Sequence, residues 1–506
     1  MTNKKIVSFE TLIKKTRELK HNNKSIVLCS GIFETLHIGH MRYLRQARSH
    51  GDIVIAAIIS DKYIDRNKTL AFDENLRAEA VASLDWVDAV VINPFDTIHE
   101  LISLVSPNVF VKGFETAVIE ETSKKSSEQE LTFLKNTGTK LIITKENEFT
   151  SSAQINRYFS NLPYEIKKYI ELFKERHTFD ELVHVIEDMK KLQVLVIGDM
   201  IIDEYQYCSA IGKSSKDPTL VLKYESRDVF VGGAGAVANH IADFAGRVDL
   251  VTILGEQNSH EKFIRSHLNK NIFPHFFHKP DAPTLIKRRF LDGYSTNKLF
   301  EVYIMDDSFL NGRQGKQLFD LVNLKLPEYD LVIVADFGHG TIDTKTKKLL
   351  SEKALFLSVN AQSNAGNRGF NSITKYPNAH YLTLAEHEIR LEMRDLSGKL
   401  FPMMSHIHNR MKCKKIIVTR GRNGCVVLDQ NGEFLQIPSF AQKVVDRVGA
   451  GDALFGLTSL AAVQNIPGEL LGFIGNTAGS LAVETMGNKK SIDKRTIMEY
   501  MNKLLT

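Results

Sequence analysis

The sequence predicts an α/β protein of two domains, each built on a largely parallel sheet covered by helices, with a small β lid on the second. Three observations predict it. The chain has 506 residues, and single hydrophobic cores stop growing beyond roughly 250–300 residues. Short, wholly apolar runs recur between amphipathic segments, the pattern of strands buried on both faces. That alternation breaks once, over residues 151–189, where the pattern turns helical and strongly charged, and then resumes. The expected boundaries are a first domain over 1–160, a helical connector over 161–190 and a second domain over 191–506.

The elements follow in order. KSIVLCSG is a strand ending at Gly31, and HMRYLRQARSHG is an amphipathic helix. DIVIAAIIS, VDAVVINP, PNVFVKG and KLIITKE are further strands of the first sheet. A new series opens with QVLVIGD at Gln193 and continues through DLVIVADFG, ALFLSVNA, AHYLTLAE and KIIVTRG. Tyr205–Val231 and Leu285–Met305 read as β with few helical signals, and so predict the small projecting sheet. EETSKKSSEQE at 120–130 reads as a solvated helix face or loop. His275 and His278, in PHFFHK, read as surface residues.

Composition excludes several classes. Hydrophobic residues are 43% and charged residues 25%, ordinary for a globular chain. The net charge is +5, but Lys and Arg are interspersed with acids and no basic block is interleaved with aromatics, so nucleic acid is not an expected partner. No apolar run of about 18 residues predicts a membrane span, and MTNKKIVSFE lacks a signal-peptide core. The four cysteines are scattered without metal or disulfide spacing. A cytoplasmic location fits.

Two constellations carry chemistry. In the first, Gly31-Ile-Phe33-Glu-Thr-Leu-His37-Ile-Gly-His40 lies where a buried strand gives way to a helix. A helix N-terminus offers free N–H groups and a positive dipole end to phosphate. Two imidazoles three residues apart share a face and can donate to a triphosphate as charge builds. In the second, Asp446-Arg-Val-Gly449-Ala450-Gly451-Asp452 places a small-residue turn before a helix. Its N–H groups suit one anion, and Asp452 is placed to take the proton of a hydroxyl attacking a γ-phosphate.

The first segment resembles the G-x-F-D-x-x-H-x-G-H signature of the cytidylyltransferase-like nucleotidyltransferases, a Rossmann-like fold. That resemblance extends over about 24–160. It implies phosphate contacts from Lys68 (in Asn67-Lys68), Arg77 and Lys112 (in Val111-Lys112-Gly113), and from Ser151 and Ser152 in a late F-T-S-S-A-Q-I segment. Glu34 and Ala153 depart from the family pattern. The second segment is similar to the D-T-x-G-A-G-D signature of the ribokinase-like (PfkB) sugar kinases, over about 190–500. There the resemblance implies sugar contacts from Asp199, Asp203, Gly232, Gly233 and Asn239, and a substrate phosphate held by Lys287 and Arg289. It implies nucleotide contacts from Glu386, Thr419, Gly421 and Gly424. Asn360 and Thr383 stand where the family has an Asp and an Asn.

Both halves occur together in bifunctional heptose kinase/adenylyltransferases, usually with the kinase first. The resemblance therefore implies a sugar phosphorylated by ATP and a nucleotidyl group transferred to a sugar 1-phosphate, with Mg²⁺ serving both sites and a homodimer formed through the lid. The second nucleotide is ATP or CTP, and no metal ligands are legible. The rival expectation is a CTP-dependent cytidylyltransferase for a polyol or sugar phosphate, carrying a divergent or inactive kinase-like module.

Overall fold

Continuous burial along the first strand, from Ile26 to Cys29, shows that the N-terminal sheet is covered on both faces. In the computed structural model, which describes residues 4–64, 70, 72–112, 133, 134, 136–144 and 162–505, the chain falls into two units, Met1–Asn161 and Leu162–Leu505. Strands β1 (Ile26–Gly31), β2 (Ile53–Ile59), β3 (Ala89–Asn93), β4 (Val109–Lys112) and β5 (Lys140–Ile143) form the first sheet. Its order is β3-β2-β1-β4-β5, all parallel. Successive side chains of a strand point to opposite faces. Val27 and Cys29 accordingly join Leu44, Ala47 and Val81 in one core, while Ile26 and Leu28 join Leu12, Leu101 and Val105 in another. The chain leaves β1 towards β2 but later returns to β4 on the other side. That order reversal opens a crevice at the strand C-termini, where such sheets bind ligands.

The second unit carries a nine-stranded sheet. Its strands are β6 (Gln193–Gly198), β9 (Arg247–Gln257), β10 (Ile272–Pro283), β13 (Leu331–Asp336), β14 (Leu357–Ala361), β15 (Tyr381–Ala385), β16 (Lys415–Thr419), β17 (Cys425–Leu428) and β18 (Phe434–Ile437). The order is β10-β9-β6-β13-β14-β15-β16-β17-β18. Pairing is parallel as far as β16 and antiparallel for the last two strands. The expected lid is present: β7 (Met200–Lys213), β8 (Leu220–Gly233), β11 (Ile286–Asp292) and β12 (Lys298–Ile304) form a separate sheet, ordered β12-β11-β7-β8.

Helices Tyr164–Lys174 and Phe179–Asp188 lie where the sequence suggests a connector. Their apolar stripes enter the core of the second unit through Ile166, Ile170, Phe173, Leu182 and Ile186. Phe173 stacks on Phe473 with ring centroids 4.3 Å apart. The second helix starts with a capping box, Thr178 receiving the Glu181 N–H and Glu181 the Thr178 N–H. Among the described residues, no helix is long and apolar enough to cross a membrane.

Candidate active sites

In the first unit, His37 caps the Ile38–Arg48 helix, its Nδ1 accepting the Gly39 N–H at 3.1 Å. A ring nitrogen that accepts is unprotonated, so in the neutral ring the proton sits on Nε2. That Nε2 is buried and has no hydrogen-bond partner among the described residues. His40 lies against it, ring centroids 3.9 Å apart. Its Nδ1 donates to the Thr35 carbonyl at 3.1 Å, which leaves Nε2 as an acceptor in the neutral ring. Burial, with the His37 ring adding to it, pushes His40 down to about 4. Burial lowers His37 as well. Both imidazoles are therefore neutral near pH 7, and His40 must gain a proton before it can donate to a phosphate oxygen.

Several expected residues sit here in other roles. Phe33 is buried at φ 51° and packs beneath His40 at 5.1 Å. It supports the ring from below. Gly31 leaves room for it, since a Cβ there would meet the Phe33 ring at 3.0 Å. Arg77 departs from its expected role as a phosphate ligand. It is 1% exposed, and its guanidinium donates to the carbonyls of Ile32 and Ile59 and to Asp61. With its donors turned inward, it ties together the loops that follow β1 and β2. Lys112 ends β4 and is buried at the crevice, one residue beyond the Cys29–Val111 pair. Tyr43, which sequence reasoning missed, donates to the Val111 carbonyl at 2.7 Å and joins helix, β1 and β4. Lys68, Gly113, Ser151 and Ser152 lie outside the described residues.

In the second unit, Gly449 adopts φ 86° at the cap of the Ala450–Ala462 helix. A Cβ there would meet Asn488 Oδ1 at 2.1 Å, whereas at Gly451 it would meet open space. Gly451 thus borders open space at the start of the helix, where free N–H groups suit an anion. Asp452 follows in the first turn. Its surroundings push the carboxyl up to about 7: burial first, then the negative charges of Asp203 and Glu388, against the opposing Lys287 ammonium. A base poised near neutrality suits proton abstraction from a hydroxyl.

The register of the lid brings the substrate side together. Lys287 pairs with Asp203, and Arg289 with Tyr205, across β11 and β7. Arg289 donates to Asp203 Oδ1 at 2.5 Å and to Glu301 at 2.9 Å. Gly232 allows Asp203 its place, since a Cβ there would lie 2.1 Å from Oδ2. Gly233 at φ 58° closes against the Asp199 carbonyl in the same way. Lys287 is buried over the rings of Tyr303 and Phe337 at 5.2 and 5.6 Å, and burial lowers its pKa. Asp446 couples the cradle to the lid, accepting from Tyr205 Oη and Lys298 Nζ, each at 2.7 Å.

Two residues differ from expectation. Asp199 accepts the backbone N–H groups of Phe337, His339 and Thr341, so its carboxylate fixes a loop. Asn239 is turned towards the 267–269 backbone, donating to the His267 carbonyl and accepting the Asn269 N–H. That leaves its amide occupied away from the lid. His275 and His278, read as surface residues, are paired with Asp249 at 2.8 Å and Glu261 at 3.1 Å. On the nucleotide side, Thr419 ends β16, and Gly421 and Gly424 both take positive φ. Gly424 passes so close to β18 that a Cβ would lie 2.0 Å from the Ile437 carbonyl. Glu386 pairs with Arg390 and Arg420. The two departures from family pattern meet: Asn360 Nδ2 donates to the Thr383 carbonyl at 2.9 Å. Glu388, which sequence reasoning missed, is buried and accepts the N–H groups of Ser363 and Ala385.

A parallel-sheet unit with a four-stranded lid, a Gly-Ala-Gly cradle and a raised aspartate defines a sugar-kinase type of fold. The pfkB family carbohydrate kinase profile matches residues 191–495, and the chain belongs to that family. The cytidylyltransferase-like profile matches residues 28–158. The bifunctional protein HldE of Shewanella sp. (strain ANA-3) is 27% identical over 303 residues, 59% of this chain and 61% of the relative. That of Blochmanniella floridana is 25% identical over 305 residues, 60% of this chain and 62% of the relative. The matches thus span about three fifths of these relatives' length. Phosphofructokinase-2 from Escherichia coli in complex with potassium superposes with a TM-score of 0.52 at 16% identity, covering 63% of this chain and all of that one. The same enzyme with substrates and products gives 0.51 at 17% identity, covering 62% and 100%. At such identities these structures speak to fold alone.

Proposed function

We propose that the chain is a bifunctional enzyme that phosphorylates a heptose phosphate with ATP and transfers a nucleotidyl group from a nucleoside triphosphate to a sugar 1-phosphate. The observation that carries this reading is the co-occurrence, in one chain, of a cytidylyltransferase-like half bearing His37 and His40 and a PfkB half that keeps Asp452. In the kinase step, Asp452 takes the proton of the sugar hydroxyl as its oxygen attacks the γ-phosphorus, and ADP leaves. The Gly449–Gly451 N–H groups receive the developing charge. In the transfer step, an oxygen of the sugar 1-phosphate attacks the α-phosphorus and pyrophosphate leaves. His37 Nε2–H and a protonated His40 donate to the phosphate oxygens.

Families of this kind use ATP and Mg²⁺. Among the described residues, no group of three or more His, Cys, Asp or Glu side chains is placed to hold a metal. Glu386 is committed to two arginines and Glu388 to two backbone N–H groups. These residues do not make a protein cage for the ion. Mg²⁺ often stays bound chiefly to water and substrate phosphates.

A homodimer through the lid is part of the proposal. Its support is the exposed apolar side chains Leu220, Tyr224, Leu299, Phe300 and Val302 on the four-stranded sheet. Sedimentation should give twice the chain mass, and Phe300→Asp should shift it to the monomer; a wild-type monomer would refute the dimer. The activity itself is tested by mass spectrometry of products from heptose phosphates incubated with ATP or CTP. A heptose bisphosphate and a nucleotide-heptose are expected. A CDP-polyol with no phosphorylated sugar would overturn the reading.

A further inference from the structure

The loop that leaves β13 buries a histidine for which the fold supplies no partner. Asp199 holds this loop through three backbone N–H groups, at 2.9, 3.2 and 3.1 Å. Gly340, at φ 95°, lets it pass the chain at Ser308, where a Cβ would lie 2.3 Å from a carbonyl. The loop is thereby fixed, and with it His339, only 4% exposed. Neither ring nitrogen of His339 has a hydrogen-bond partner among the described residues. Burying two unsatisfied polar atoms costs stability, and each such pair in a native fold calls for an explanation.

The ring lines a cavity together with Asp199, Thr284, Met305, Asp306 and Thr341. Its volume of about 20 Å³ takes roughly one water-sized group. A hydroxyl fits such a space. Lys279, on the same wall, is already consumed by the Asp306 and Ser308 oxygens. Burial, with the Lys287 ammonium adding to it, pushes His339 down to about 4. The imidazole is therefore neutral near pH 7 and offers one donor and one acceptor, the complement of a hydroxyl. The same Lys287 charge acts on Asp452. Lys287 thus stands within electrostatic reach of both the base and this ring.

We propose that His339 is a specificity-determining residue of the kinase half, its imidazole engaging one hydroxyl of the sugar at a position remote from the hydroxyl that Asp452 deprotonates. This rests on reading the second unit as a sugar kinase. It assigns the subsite to a neutral hydroxyl, so sugars lacking that hydroxyl are discriminated against.

The test uses the full chain, a heptose 7-phosphate and its monodeoxy analogues. His339→Ala should raise the KM for the heptose phosphate about tenfold, the worth of a good hydrogen bond, with the KM for ATP unchanged. His339→Gln, which keeps a donor and an acceptor, should recover part of the loss. One deoxy analogue should lose the same factor with the wild type and nothing further with His339→Ala. Thermal melts that agree with the wild type exclude misfolding as the cause. An unchanged sugar KM, or losses that add for every analogue, would overturn the proposal and leave the cavity to a structural water. A wild type without turnover would sink the kinase reading instead. Calorimetric titration of the same heptose phosphate would then decide the subsite alone: weaker binding to His339→Ala upholds it, and equal or absent binding refutes it.

Discussion

Two titrations set the chemistry at the scale of single residues. Asp452 is raised to about 7, and only its ionised form can accept a proton. Phosphorylation, measured as kcat/KM, should therefore fall about tenfold for each pH unit below 7 and level off above it. A flat profile between pH 5.5 and 7 would contradict the assignment. His40 is lowered to about 4 by burial and its neighbour ring, so it is neutral before nucleotide binds. Triphosphate charge beside it favours the imidazolium. Nucleotide binding near pH 7 should therefore take up a proton. Calorimetry in buffers of different ionisation enthalpy measures that uptake, and His40→Ala should abolish it.

Residue types were legible in the sequence where backbone motif and chemistry coincide. Gly449 and His37 cap helices, and Asp452 and His40 follow in the first turns of the same helices, where the motifs put them. Arg77 and Asn239 were not legible, because a motif residue's type does not reveal which way it faces. Arg77 found carbonyls on two loops, and Asn239 found the 267–269 backbone. His339 carried no signal at all, since its importance lies in what it fails to contact.

At the scale of elements, the helices at 164–174 and 179–188 illustrate how tertiary packing overrides a reading from charge. Their exposed faces are rich in Lys and Glu, which suggested a connector, yet the apolar stripe is buried in the second core. Phe173 is fully buried against Phe473. Phe173→Ala should destabilise the second unit by about 3–5 kcal/mol, seen as a lowered denaturation midpoint. A change near zero would restore the connector reading. The lid strands were legible from β-rich composition, but their register was not. That register is what sets Lys287 beside Asp203. Asn360 and Thr383, separate anomalies in the sequence, become one hydrogen bond once β14 and β15 are seen to be neighbours.

At the scale of the whole molecule, the account rests on two independent chemistries in one chain. Each unit has its own sheet, core and site, so damage to one site should leave the other working. The most direct test is Asp452→Asn in the full chain, with sugar phosphorylation and pyrophosphate release measured side by side. The account predicts that phosphorylation is lost by a factor of about 10² or more while pyrophosphate release from a sugar 1-phosphate and a nucleoside triphosphate stays at the wild-type rate. Persistent phosphorylation, or loss of both activities from a folded variant, would contradict it.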